Sequence, residues 1–109
     1  MKRIDIYQIN MDCDPDRLCF MNSEWWKKHG LDLNQIDRKL YEHVWSGELP
    51  VSDAEDVYRI FNTDRPQDFI GRSLSVSDIV GISDPATDVT ELLFCDSVGF
   101  RPCGWRRGS

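Results

Sequence analysis

A chain of 109 residues fits one domain, large enough to bury a core without metal or disulfide staples. With 40% apolar, 29% charged and 11% aromatic residues, it has the balance of a folded protein, and disorder is confined to the ends. Nineteen acidic against 13 basic residues give a formal net charge of -6, a field that repels phosphate backbones, so nucleic-acid binding starts at a disadvantage.

The start, MKRIDIYQINMDCD, is basic, but Asp5, Gln8, Asn10 and Asp12 interrupt any apolar run of signal-peptide length. No stretch approaches the roughly 20 apolar residues of a membrane span. The expectation is a soluble, cytoplasmic protein. Residues 3–9 place Ile4 and Ile6 on one face and Tyr7 and Ile9 on the other, as in a central strand covered on both sides. Residues 11–16 form a polar turn around Pro15, and residues 17–21 fit either a short strand or a connector. Asp12, Asp14 and Asp16 imitate the start of a calcium loop. Arg17 replaces its glycine and Ser23 its bidentate glutamate, so an exposed acidic turn is expected instead.

Ser23 is the expected N-cap of a short helix carrying Trp25, Trp26 and Lys28 and ended by Gly30. Two adjacent tryptophans on a helix cannot face the same core, so one of them should be exposed as a candidate interface anchor. His29 sits where a cation suits the helix dipole and is expected to cap rather than catalyse. Leu33, Ile36, Leu40 and Val44 keep helical spacing, while Tyr41, His43 and Trp45 alternate as in a strand. The aromatic and β-branched content of residues 39–46, followed by Gly47, favours the strand, with His43 a surface or packed residue.

Residues 53–62 read as a helix. Ser52 and Glu55 make a capping box, Ala54, Val57, Tyr58 and Phe61 form one stripe widened by Ile60, and Pro66 stops the run. A loop of about a dozen residues then leads to Leu74, long for a compact domain without a functional reason. Residues 75–82, 91–96 and 99–104 read as antiparallel strands joined through Ser83-Asp84-Pro85 and Ser97-Val98, a C-terminal three-stranded meander. The fold class is therefore α+β: an antiparallel sheet of four or five strands with two helices, one domain over residues 1–107, with Gly108 and Ser109 a tail or an addition.

Cys13, Cys19, Cys95 and Cys103 have neither zinc-knuckle nor redox spacing, and reduced thiols are expected, ahead of a four-cysteine zinc site or a disulfide. The seven glycines are scattered singly, so no phosphate cradle and no nucleotide cofactor is expected; no G-x-S-x-G elbow supports nucleophilic hydrolysis. The chemistry concentrates in residues 62–82. Arg65 and Arg72 can each donate several hydrogen bonds to carboxylates such as Asp68, Asp78 or Asp96. Ser73, Ser75 and Ser77 fall on one face of an extended strand, with Leu74, Val76 and Asp78 on the other. One reading makes the hydroxyls with Asp68, Asp78 and Asp96 a structural polar network. A second makes Arg65, Arg72, Ser73, Ser75, Ser77, Trp25 and Trp26 a patch for a protein partner. A third uses Asp78 and Asp96 as a carboxylate pair for acid–base or metal work, and a fourth binds nucleic acid weakly through Arg101, Arg106 and Arg107.

The run Arg65-Pro66-Gln67-Asp68-Phe69-Ile70-Gly71-Arg72-Ser73-Leu74-Ser75-Val76-Ser77-Asp78-Ile79-Val80, followed by Phe94-Cys95-Asp96-Ser97-Val98-Gly99-Phe100, resembles the YodL-like domain family. The likeness continues upstream through Ile6-Tyr7-Gln8, Phe20-Met21, Gly30-Leu31, Tyr41-Glu42 and Ile60-Phe61-Asn62, and so covers most of the chain. Cys95 stands where relatives tend to carry an aliphatic residue, and Cys103-Gly104-Trp105 is less family-like. Such domains occur in Firmicutes, often within multidomain proteins of mobile genetic elements. The resemblance implies an accessory domain of unknown activity and supplies no catalytic residues. Together the residues and the resemblance point to a non-catalytic, protein-interacting module without cofactor, metal or membrane.

Overall fold

A computed structural model describes residues 2–10, 20–63, 67, 69, 74–87 and 89–106. Five strands, β1 (Lys2–Ile9), β2 (Tyr41–Leu49), β3 (Ile79–Asp84), β4 (Val89–Cys95) and β5 (Phe100–Pro102), form one sheet in the order β2-β1-β3-β4-β5. Every pairing is antiparallel. Two helices, α1 (Ser23–Lys28) and α2 (Ala54–Thr63), complete the α+β architecture.

Alternation along β1 sorts its side chains onto two cores. Ile4 and Ile6 join Val57 and Phe61 of α2, together with Trp45, Val80 and Ile82. Tyr7 and Ile9 go to the other face, with Trp26 of α1, Ile36, Tyr41, Ile79 and Phe94. Both faces are thus covered by helix or turn, and each fully buried large side chain contributes roughly 1.5–3 kcal/mol. In β2 the period breaks once. Ile6 faces Trp45 but Tyr7 faces His43, leaving Val44 as an extra residue. Four positions apart, Tyr41 and Trp45 would share a face in a regular strand; the bulge sends them to opposite cores.

Asn22, not Ser23, caps α1, its side-chain oxygen accepting from the Trp25 amide at 3.0 Å. The expected cap was one residue late because Ser23 is engaged elsewhere. The other end follows expectation. His29 is the C-cap, its Nδ1 lies 2.8 Å from the Trp25 carbonyl oxygen, and Gly30 takes a positive φ of 76°. The mixed signal before β2 resolves into two 3₁₀ turns, Leu33–Gln35 and Arg38–Leu40, each opened by an aspartate, Asp32 or Asp37, that accepts from the amide two residues on.

The cap of α2 is also displaced. Asp53 accepts from the Asp56 amide at 3.0 Å and Asp56 accepts from the Ser52 amide at 3.0 Å, so Asp53 is the cap and the carboxylate reaching back to Ser52 is Asp56 rather than Glu55. Two carboxylates at the first turn also gain from the helix dipole. Residues 75–78 are not extended. The Asp78 amide donates to the Ser75 carbonyl at 3.1 Å, Ser77 has φ 81°, and β3 begins only at Ile79. Ser75 and Ser77, expected on one face of a strand, therefore belong to a turn.

Gly47 is required sterically. A Cβ there would lie 2.5 Å from the Trp45 indole, and that ring is packed edge-on against Phe61 at 5.2 Å. Gly47→Ala is expected to destabilise the protein by about 1–3 kcal/mol, as overpacking does, seen as a lower urea midpoint at unchanged slope; an unaltered midpoint would show that the indole moves freely.

Candidate functional site

Two carboxyl groups organise the end of the sheet where β3 starts and β4 ends. Asp78 is fully buried. Its Oδ2 accepts from the side-chain amide of Gln8, on β1, at 3.1 Å and from the Ser75 amide at 2.9 Å. Its backbone carbonyl receives the Cys95 amide at 2.8 Å, while the Ser77 amide donates to the Cys95 carbonyl at 2.8 Å. Ser77 is equally interior. Its hydroxyl accepts from the Phe20 amide at 2.9 Å and its carbonyl from the Tyr41 hydroxyl at 2.7 Å.

Asp96 closes β4 and lies nearer the surface. One oxygen accepts from the Ser23 amide at 3.1 Å and the Ser97 amide at 2.8 Å; the other accepts from the Ser23 hydroxyl and from Arg101 Nε. The start of α1, the turn after β4 and β5 therefore meet on one carboxylate. Burial pushes its pKa up, but the donors from Ser23, Ser97 and Arg101 outweigh it and hold the group down at about 2. The turn itself is closed by the Asp96 amide on the Gly99 carbonyl at 3.0 Å, with Gly99 at φ 70°.

Three clefts surround this centre. The largest, about 520 Å³, lies between α1 and the first 3₁₀ turn, lined by Ser23, Lys27, Leu31, Leu33 and Arg101 among others. A second of about 180 Å³ runs from Asn22 past Asp96 to Val98. The third, about 240 Å³, opens toward α2 between Tyr58, Val76, Cys95 and Phe100. Val98, at the tip of the turn, is 88% exposed. Tyr58 stands half-exposed with its ring edge-on to Phe100 at 6.2 Å.

Of the residues expected to bind a partner, Arg65, Arg72 and Ser73 lie outside the described residues, as does Asp68 of the polar network. Ser77 and Trp26 are corrected: both are interior, Trp26 at 1% exposure edge-on to Phe94. Ser75 is half-buried, its hydroxyl oxygen enclosed without a partner among the described residues. Trp25 is 38% exposed and stacks on His29 at 4.3 Å, so the tryptophan pair divides as expected. Asp78 and Asp96 both sit in polar networks but with separate donors. Of the arginines at the C-terminal end, Arg101 is held by Asp96 and Arg106 lies 3.8 Å from Asp37, while Arg107 is outside the described residues. Cys13, Cys19 and the three aspartates of the acidic turn are likewise outside them. Ser23, Tyr58 and Val98 were not singled out as site residues. An apolar Val98 between Ser97 and Gly99, where a turn wants polar residues, was the available signal.

The chemistry of this end is quiet. Burial first, and then the negative charges of Asp78, Asp96 and Glu55, push the Cys95 thiol up to about 12. Burial alone takes Cys103 to about 12. Both are free thiols, and no group of three or more metal-ligating side chains occurs among the described residues. No helix is long and apolar enough to cross a membrane.

A family model described as YodL-like domain matches residues 3–105. The chain belongs to the YodL-like domain family. The match reaches Trp105, which packs edge-on to Tyr7 at 5.2 Å, so the less typical C-terminal segment is part of this YodL-like domain. Neither the curated proteins nor the solved structures contain a match to it.

Two outcomes follow from the titrating groups. Asp96 has a folded-state pKa below its unfolded value, so its contribution is complete above about pH 4 and disappears as pH falls through about 2. Relative to wild type, Asp96→Asn should lose on the order of 1–2 kcal/mol at neutral pH and show a flatter decline of stability between pH 4 and 2; parallel acid-unfolding curves for the two proteins would contradict this. Cys95 and Cys103 should resist iodoacetamide at pH 8 in the native protein and react fully in denaturant, read by peptide mass mapping. Rapid native labelling at Cys95 would contradict its burial.

Proposed function

We propose that this domain is a non-catalytic protein-interaction module whose binding surface is built around the Asp96–Arg101 pair. The observation that carries the reading is the set of clefts organised by one saturated carboxylate and flanked by exposed Val98 and half-exposed Tyr58. Phe20, bonded to Ser77 beside Val76 of the third cleft, adds a further exposed aromatic. Aromatic and apolar anchors beside fixed polar groups are what protein interfaces use. Arg101 Nε is committed to Asp96, which fixes the guanidinium while most of the side chain stays exposed, a pre-organised donor for a partner carboxylate.

The enzymatic alternative draws less support. Asp78 has no exposed surface, and Asp96, with four donors and a pKa near 2, is a poor general base at neutral pH. A nucleic-acid interface draws less still, because Arg101 and Arg106 already face carboxylates and the net charge is -6. For the setting, our inference from the family is a bacterial, cytoplasmic accessory domain linked to mobile genetic elements.

The test is affinity capture from a bacterial host lysate with the wild-type chain and with a Val98→Asp, Tyr58→Ala double variant. Val98 is exposed and Tyr58 half-exposed, so the variant should stay folded, checked by its melting transition. A partner whose binding weakens tenfold or more in the variant supports the reading, at the scale of interface anchors. Equal capture of every partner by both proteins would remove the surface from consideration.

A further inference from the structure

A separate cleft of about 310 Å³ lies across the sheet from α1, at the N-terminal end of α2. Strand alternation builds its floor. Ile82 and Leu93 face the α2 side and join that core, Glu91 sits opposite Ile82, and Val89 sits opposite Asp84. The apolar core thus surfaces beyond the helix end, from buried Ala54 and Ile82 out to Val89, which is 56% exposed. Among the described residues, three carboxylates, Asp53, Asp84 and Glu91, and one amine, Lys2, stand around this floor.

None of the three carboxylates forms an ion pair among the described residues. Asp53 and Asp84 each use one oxygen locally, on the amides of Asp56 and Ala86, and Lys2 is turned to the Ser52 carbonyl at 3.4 Å. An apolar floor with an unneutralised acidic rim, on a molecule of net charge -6, favours one kind of occupant. We propose that this cleft docks a basic–aliphatic segment of another protein, a leucine- or isoleucine-like side chain on Ile82, Val89 and Leu93 with lysine or arginine facing Asp53, Asp84 and Glu91. A second copy of this chain is the poorer occupant, because its own field is acidic.

The experiment titrates the full ¹⁵N-labelled chain with two synthetic peptides of equal length, one alternating leucine and lysine, the other leucine and glutamate. The expected result is amide shifts concentrated at Ile82, Val89, Glu91 and Leu93 with the lysine peptide, weakening as salt rises, and none with the glutamate peptide. Glu91→Lys should weaken binding about tenfold or more. Glu42→Lys, the same charge change at an exposed residue of β2, should leave it within about twofold. Equal weakening by the two variants, shifts scattered over the surface, or equal binding of both peptides would overturn the proposal, as would a concentration-dependent dimer that Glu91→Lys abolishes. Shifts at Tyr58 and Val98 instead would locate the peptide at the Asp96 surface and count against this cleft while leaving that one standing.

Discussion

The Asp78 carboxyl group fastens β1 to the turn before β3 from inside the domain. It is wholly buried, yet it joins the side chain of Gln8 on β1 to the turn that leads into β3, while the backbone on either side of it bonds Cys95 of β4. A buried polar group without partners costs roughly 1–3 kcal/mol or more, so these contacts must all be present together or the segment would not tolerate being inside. Ser77, next in line, extends the same logic by taking the Phe20 amide on its hydroxyl and the Tyr41 hydroxyl on its carbonyl. Its φ of 81° is the backbone cost of presenting both groups at once.

Around that cluster the hydrophobic pattern decides the layers. β1 is alternately loaded for two cores, and the bulge at Val44 lets β2 serve both, with Tyr41 on the α1 side and Trp45 on the α2 side. The helix on that side, α1, is six residues long, too short to be stable alone. Other groups compensate. Trp105 comes back to lie against Tyr7 and Tyr41, and Arg38 stacks between Tyr7 and Trp105 at 4.8 and 5.3 Å while donating to the Tyr41 carbonyl. Charged Arg38 is thereby a packing residue, its planar group filling the layer that a longer helix would otherwise cover.

Local chemistry made much of this legible. β1 as a covered central strand and α2 with its apolar stripe follow from periodicity, and β2, where periodicity is mixed, from its aromatic and β-branched content. Both helix caps came out one residue away from expectation, since Asn22 and Asp53 compete with Ser23 and Ser52 on nearly equal terms and only tertiary context chooses. Ser23 shows what that context is: its amide and hydroxyl are needed 73 residues away, by Asp96. The serine row failed for a related reason. Alternation at Ser73, Ser75 and Ser77 looked like a strand because periodicity cannot see that Asp78 must turn inward to meet Gln8, and that turn places Ser77 inside rather than on a face. Long-range pairing of polar groups leaves no short-range trace, so the site's centre was named while its partners were not.

The same distinction bears on where this domain meets others. Polar residues in the stretch that carries the family resemblance, Ser77, Asp78 and Asp96, are consumed by architecture: each spends its hydrogen-bonding capacity within the chain. What remains available for recognition stands beside them, on Val98, Tyr58, the far end of Arg101 and Glu91 of the acidic rim near α2. A surface fixed by an interior network can change its exposed residues at small cost in stability, since surface substitutions away from caps and cores usually fall within about 0.5 kcal/mol. A rigid end of the sheet carrying replaceable side chains is therefore suited to specifying partners by shape and charge, and the physical division of labour between buried carboxyl groups and exposed anchors is what separates the scaffold from whatever it recognises.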